Sequence, residues 1–105
     1  MSRRETLSKK TKIIATLGPA SNSVPKVRQL IQAGADVFRI NASHLSSADD
    51  VQGLVEMVRD ASKEAQREVA IFLDLQGPKI RVGDFEDATV RLKTGNDFVL
   101  TTKPV

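Results

Sequence analysis

Among its 105 residues the chain has no cysteine, no tryptophan and no tyrosine, and only four phenylalanines. The missing thiol excludes disulfides, metal–thiolate centres and a cysteine nucleophile. It fits a reducing compartment, so the cytoplasm is the expected location. The shortage of rings removes the stacking platforms on which single-stranded nucleic acid is held. No apolar run approaches the roughly eighteen residues needed to cross a bilayer, so no membrane partner is expected. Neither the glycine pattern of a Walker loop nor that of a dinucleotide fingerprint occurs. The single histidine, His44, has no metal-ligand spacing and no triad partner around it.

What is present is a mixture of 40% hydrophobic and 28% charged residues, the balance of a soluble globular protein. The net charge is +3, and much of the excess lies in Arg3, Arg4, Lys9, Lys10 and Lys12. A basic arm can bind nucleic acid, but without aromatic platforms residues 1–10 read as a solvated leader. No nucleic-acid partner is expected. The opening Met1-Ser2-Arg3-Arg4-Glu5 continues into polar residues and does not read as a secretory signal.

Strand and helix signals then alternate. Lys12 to Leu17 is a short, mostly apolar run stopped by Gly18-Pro19, as a buried parallel strand would be. Ser23 is placed to cap a helix with Pro25 in its first turn and Val27, Leu30 and Ile31 on one face, and Gly34 suits a left-handed stop. Asp36 to Ile40 reads as a second strand. A second helix starts near Ser46 or Ser47, with Asp49 and Asp50 in its first turn. Val51, Leu54, Val55, Val58, Ala61 and Ala65 form its apolar stripe. Val69 to Asp74, closed by Gly77-Pro78, is the third strand. Two crossovers of this kind place three strands parallel and adjacent with right-handed connections. After Arg81 the helical stripe disappears, and Val82, Val90, Leu92, Phe98 and Leu100 alternate with turn signals, as at the start of an antiparallel β module.

The fold class implied is α/β, the first βαβαβ units of an eight-fold β/α (TIM) barrel. A complete barrel takes roughly 250 residues, so the chain is expected to be the opening portion of a longer protein and too short to work alone. The polar residues that look out of place for packing all sit at strand ends or just after them. They are Gly18 to Ser21, then Arg39 and Asn41 to His44, then Asp74 and Gln76 to Arg81. In such barrels these loops build the active site.

Arg39 in an apolar strand has two readings. It can pair with a buried acid such as Asp74 or Asp36, or it can aim at a phosphate or carboxylate from the strand end. The hydroxyl and amide groups at Ser43 and Asn41 favour the second. His44 reads either as a loop or capping residue or as a catalyst, and nothing near it supports general-base chemistry. Asp74 fits a helix cap, a salt-bridge partner or a cation ligand. Lys79 and Arg81 flank that acid's turn with two positive charges, Arg81 suited to bidentate phosphate contact and Lys79 a flexible point charge.

Three segments carry a family resemblance. Thr11 to Ser21 resembles the opening barrel strand of pyruvate kinases, Arg39-Ile40-Asn41-Ala42-Ser43-His44 is similar to their second-strand motif, and Asp74 to Gly83 to their third. The resemblance implies phosphoryl transfer from phosphoenolpyruvate to ADP, giving pyruvate and ATP, with magnesium and usually potassium. It implies a catalytic Arg39 on the phosphoenolpyruvate phosphate, and nucleotide contacts from Asn41, His44 and Arg81. It implies a monovalent-cation site of Asn41, Ser43, Asp74 and the carbonyl of Leu75. The catalytic lysine and the magnesium-binding acids of the family lie later in its chains. Residues 11–81 would then belong to the catalytic barrel and residues 82–105 to the start of a β lid, in a homotetrameric parent.

This sequence departs from the family at Lys79, usually glutamate in potassium-dependent members, and at Leu75, usually threonine. An ammonium at 79 would supply the charge potassium otherwise brings, and Coulomb repulsion would disfavour the ion. Ala42 and Leu45 also differ from the usual aromatic and glycine. The alternative from a different class is a free-standing, non-catalytic βαβ module that binds a phosphate ligand or a partner.

Overall fold

A computed structural model describes residues 9–104. Most of the expected leader, residues 1–8, lies outside the described residues. The elements run β1 (Ile14–Thr16), α1 (Val24–Ala33), β2 (Val37–Asn41), α2 (Ala48–Ala65) and β3 (Ala70–Asp74). The strands form one parallel sheet in the order β1-β2-β3. Parallel neighbours require a crossover, and each helix supplies one.

Both helices begin where capping chemistry directs. The Ser23 side chain accepts from the Lys26 N–H at 3.4 Å, ahead of a first turn that tolerates Pro25. At α2, the Asp50 N–H donates to Ser47 Oγ at 3.3 Å, while Ser47 N–H returns a bond to the Asp50 carboxylate at 3.2 Å. Further bonds from the Ser46 N–H and hydroxyl, led by the backbone one, hold the Asp50 carboxyl below its ordinary range. α1 stops at Gly34, whose φ of 117° suits only a residue without Cβ. α2 stops the same way at Gln66, with φ 51°.

The sheet is dressed on one face only. Side chains alternate along β2, so Phe38 and Ile40 are fully buried beneath the helices while Val37, Arg39 and Asn41 are half-buried on the opposite face. Val27, Ile31 and Val58 from the helices complete the centre of the core. Ser62 joins it as a buried polar residue outside the apolar stripe, its hydroxyl donating to the Arg67 carbonyl. The bare face shows Ile14, 57% exposed, and Phe72, 40% exposed, the pattern of strands whose second side is meant for other side chains.

At the amino end of the sheet, the Asp36 carboxylate gathers Lys9, Arg67 and the Ile13 N–H, the last at 2.8 Å. Arg67 also donates to the carbonyls of Ile31 at 2.9 Å and Ala35 at 3.1 Å, fastening the end of α1 to the start of β3. Lys9 is therefore not a solvated leader charge. The hydrogen bond from Lys9 is the largest cause, with burial opposing it, of a carboxyl pKa lowered to about 2.

The expected antiparallel strands beyond Arg81 do not form within the chain. A strand exists only through a partner, and no two stretches of residues 75–104 pair. Instead they hold tight turns, with Ala88 N–H bonded to the Phe85 carbonyl at 3.1 Å and Asn96 N–H to the Lys93 carbonyl at 3.2 Å. Assignment of residues 82–105 to a separate module rests on sequence.

Two stability effects follow, both measurable by urea unfolding of the protein that carries this chain. A group depressed on folding contributes above its unfolded pKa, so the Asp36 contribution is full above about pH 4 and lost as pH falls through about 2. Asp36→Asn is expected to cost about 2 kcal/mol at neutral pH and to flatten the stability–pH slope across that acid window. A slope unchanged by the substitution would refute the clamp. At the left-handed stop of α2, Gln66→Gly is expected to raise stability by roughly 0.5–1 kcal/mol, and a fall would contradict the assigned φ.

Candidate functional site: the carboxyl rim of the sheet

Because the three strands run parallel, all three open their following loops on one rim. The register sets Thr16 opposite Arg39 and Asn41 opposite Asp74. The pleat puts all four on the bare face of the sheet. Residues separated by dozens of positions in sequence thus become neighbours without any loop having to hold them.

Arg39 Nε donates to Asp74 Oδ2 at 2.9 Å, Nη2 donates to the same oxygen, and Nη1 donates to Thr16 Oγ1 at 3.3 Å. Of the two acids weighed as partners for Arg39, the structure chooses Asp74. Asp36 is occupied at the opposite end of the sheet. The Arg39 and Asp74 side chains remain 28% and 46% exposed, so the pair contributes little to stability. Its value is geometric, since a side chain with a long flexible stem is held in one orientation.

Asn41 turns back on its own loop. Its Oδ1 accepts from Ser43 N at 3.1 Å and from Ser43 Oγ at 2.7 Å, capping a short 3-10 turn over Ala42–His44. His44 is exposed at the end of that turn. It lines a cleft of about 800 Å³ with Gly18, Pro19 and Asn22 of the first loop, Asn41 and Leu45 of the second, and Asp49 and Asp50 at the start of α2. Leu17, Ile40 and Leu54 also line it, so the cleft opens on the helix side of the sheet, and of the residues on the bare face only Asn41 reaches it.

The expected site residues therefore divide. Arg39 and Asp74 are bonded together, and Asn41 stands opposite Asp74 in the register with Ser43 bonded to it. His44 belongs to the adjoining cleft. Leu75, 73% exposed, Lys79 and Arg81 lie in the segment following β3, and no side-chain bond among the described residues ties Lys79 or Arg81 to the rim. Thr16 is the residue that sequence reasoning passed over. Alternation along one strand tells which residues share a face but not which residue of the neighbouring strand stands opposite, so no sequence signal marks Thr16.

The donors around Asn41, Ser43 and Asp74 are hard oxygens of the type that hold alkali cations. They are poorly free to do so here. Both lone pairs of Asn41 Oδ1 are engaged by Ser43, and Asp74 is neutralised by Arg39.

Fold and rim together define a parallel β/α barrel segment whose strand ends hold a guanidinium between side chains of the two neighbouring strands. The family model described as pyruvate kinase, barrel domain, matches residues 8–105. The chain is 46% identical over 97 residues to the pyruvate kinase of Methylorubrum extorquens, covering 92% of the chain and 20% of that protein. It is 48% identical over 101 residues to pyruvate kinase 2 of Synechocystis sp., covering 94% and 17%. It is 44% identical over 98 residues to the pyruvate kinase of Thermococcus litoralis, covering 93% and 20%. The chain belongs to the pyruvate kinase family and spans about a fifth of the length of the curated relatives it matches. Its three strands and two helices are the opening βαβαβ of that family's barrel domain.

Proposed function

We propose that the protein carrying this chain transfers a phosphoryl group from phosphoenolpyruvate to ADP, forming pyruvate and ATP, and that this chain supplies one wall of the phosphate site. The observation that carries the reading is the Arg39 guanidinium, fixed at the barrel rim with donors still unspent. Phosphoryl transfer asks mainly for positioning and charge neutralisation around the moving group, and a planar cation held on two sides offers both. In this reading Arg39 contacts the phosphoenolpyruvate phosphate. Asn41 and His44, beside the cleft, and Arg81, from the segment after β3, face the nucleotide phosphates. Magnesium, held by acids outside this chain, would neutralise the phosphate oxygens when bound, and family membership supports its use.

The occupied oxygens at Asn41 and Asp74 join Lys79 and Leu75 in favouring a potassium-independent enzyme. An ammonium at Lys79 would stand in for the monovalent charge. Residues 82–105 are read as the start of a β lid that closes over the rim, and the parent protein as a cytoplasmic homotetramer. No described helix is long and apolar enough to cross a membrane.

The activity is tested with a protein of the relatives' full length that bears this chain. It is expected to form pyruvate from phosphoenolpyruvate and ADP, and Arg39→Lys to lower kcat/KM by ~100-fold or more, because a point charge cannot replace the planar fork. The 105-residue chain alone is expected to show no turnover. A full-length protein that makes no pyruvate, yet binds phosphate, would instead favour a non-catalytic module. For potassium, replacing tetramethylammonium by potassium is expected to change the rate by less than ~2-fold. Many-fold activation would remove the role given to Lys79.

A further inference from the structure

We propose that Thr16 is a positioning residue, whose hydroxyl fixes the guanidinium plane of Arg39 and so aims its unspent donors at the phosphate of phosphoenolpyruvate. The inference rests on the activity proposed above and adds to it a residue on a different strand.

A guanidinium carries five N–H donors in one plane. Asp74 takes the Nε side of Arg39 through a single oxygen, Oδ2, which accepts from both Nε and Nη2. Two donors converging on one oxygen act as a pivot, and they leave the plane free to tilt about that point. The bond from Nη1 to Thr16 Oγ1 at 3.3 Å is a second anchor, on the opposite strand of the sheet. With both anchors in place the plane is defined, and two donors, one on each terminal nitrogen, remain without a protein partner among the described residues. Those two form the fork that suits a phosphate.

The anchor is robust because it comes from pairing and not from a loop. Thr16 and Arg39 are register partners in adjacent parallel strands, so their side chains leave the same face at the same level. A hydroxyl at this level reaches the terminal nitrogen of the arginine. A β-branched hydroxyl also has a restricted χ1, which limits how far the anchor can wander. Serine keeps the acceptor oxygen, and valine keeps the shape and removes it. The two substitutions therefore separate hydrogen bonding from packing.

The test uses the full-length protein bearing this chain as wild type, Thr16→Val and Thr16→Ser. Pyruvate formation is measured against phosphoenolpyruvate and against ADP, and the Arg39 Nε–H and Nη–H signals are followed by NMR. Thr16→Val is expected to raise the KM for phosphoenolpyruvate by ~10-fold, the loss of one orienting hydrogen bond, with the KM for ADP within ~2-fold of wild type. Restricted rotation of the Nη1 group should be lost in Thr16→Val and retained in Thr16→Ser, which should keep near-wild-type kinetics. A Thr16→Val enzyme with unchanged KM for phosphoenolpyruvate overturns the proposal, as does a Thr16→Ser enzyme impaired as much as valine. If valine lowers the unfolding temperature, Thr16→Ala makes the same comparison without the added methyl. A wild-type protein without turnover removes the assigned activity, while the NMR comparison still decides the anchor: Nη1 signals identical in wild type and Thr16→Val would refute it.

Discussion

The parallel hydrogen-bonded register of β1, β2 and β3 is the constraint on which the site depends. Parallel pairing aligns strand ends, so that one step of register brings Thr16 to Arg39 and the next but one brings Asn41 to Asp74. A slip of one residue in β2 would send Arg39 and Asn41 to the helix side and bring Phe38 and Ile40 to the bare face. The core forbids that slip, because Phe38 and Ile40 are fully buried between the sheet and the two helices. Burial on one face therefore specifies which side chains stand on the other, and Arg39 needs no dedicated loop to place it.

Legibility from sequence followed the range of the forces involved. Ser23, Gly34, Ser47 and Asp50 announce helix ends through local capping chemistry, and each lies where the sequence indicates. The strands were readable as apolar runs between turn signals, to within a residue or two. The partner of Arg39 was not decidable from sequence, because Asp36 and Asp74 are chemically alike and only three-dimensional register separates them. Thr16 escaped notice for a related reason, since a threonine in a strand is ordinary until its neighbour across the sheet is known. The segment after Arg81 shows the limit most clearly. Its alternation is that of strands, but alternation says which residues face together and not what they pair with.

The neighbourhood of Asp74 carries two roles that compete for the same oxygens. As a partner of Arg39 the carboxylate orients a guanidinium, and as a ligand of an alkali ion it would have to share its charge with a second cation close by. Arg39 already neutralises Asp74, and Lys79 adds another positive group to the segment that follows. Each added cation raises the electrostatic cost of an ion in the site. Asn41 Oδ1 is also committed to Ser43, so the oxygens an alkali ion would need already have partners within the chain.

The two ends of β2 use the same chemistry to opposite effect. At the amino end, Asp36 has a carboxylate only 10% exposed that takes two cations and a backbone N–H, while Arg67 Nη1 donates to the carbonyls of Ile31 and Ala35. With the acid largely buried and its partners reaching α1 and β1, the cluster works as a fastening. At the carboxyl end, Asp74 is 46% exposed and Arg39 keeps donors unspent. A largely buried ion cluster contributes to stability, as the lowered Asp36 pKa shows, whereas a half-exposed pair is worth little to folding. The difference in exposure, more than the residue types, separates the buried fastening at one end of this strand from the open pair at the other.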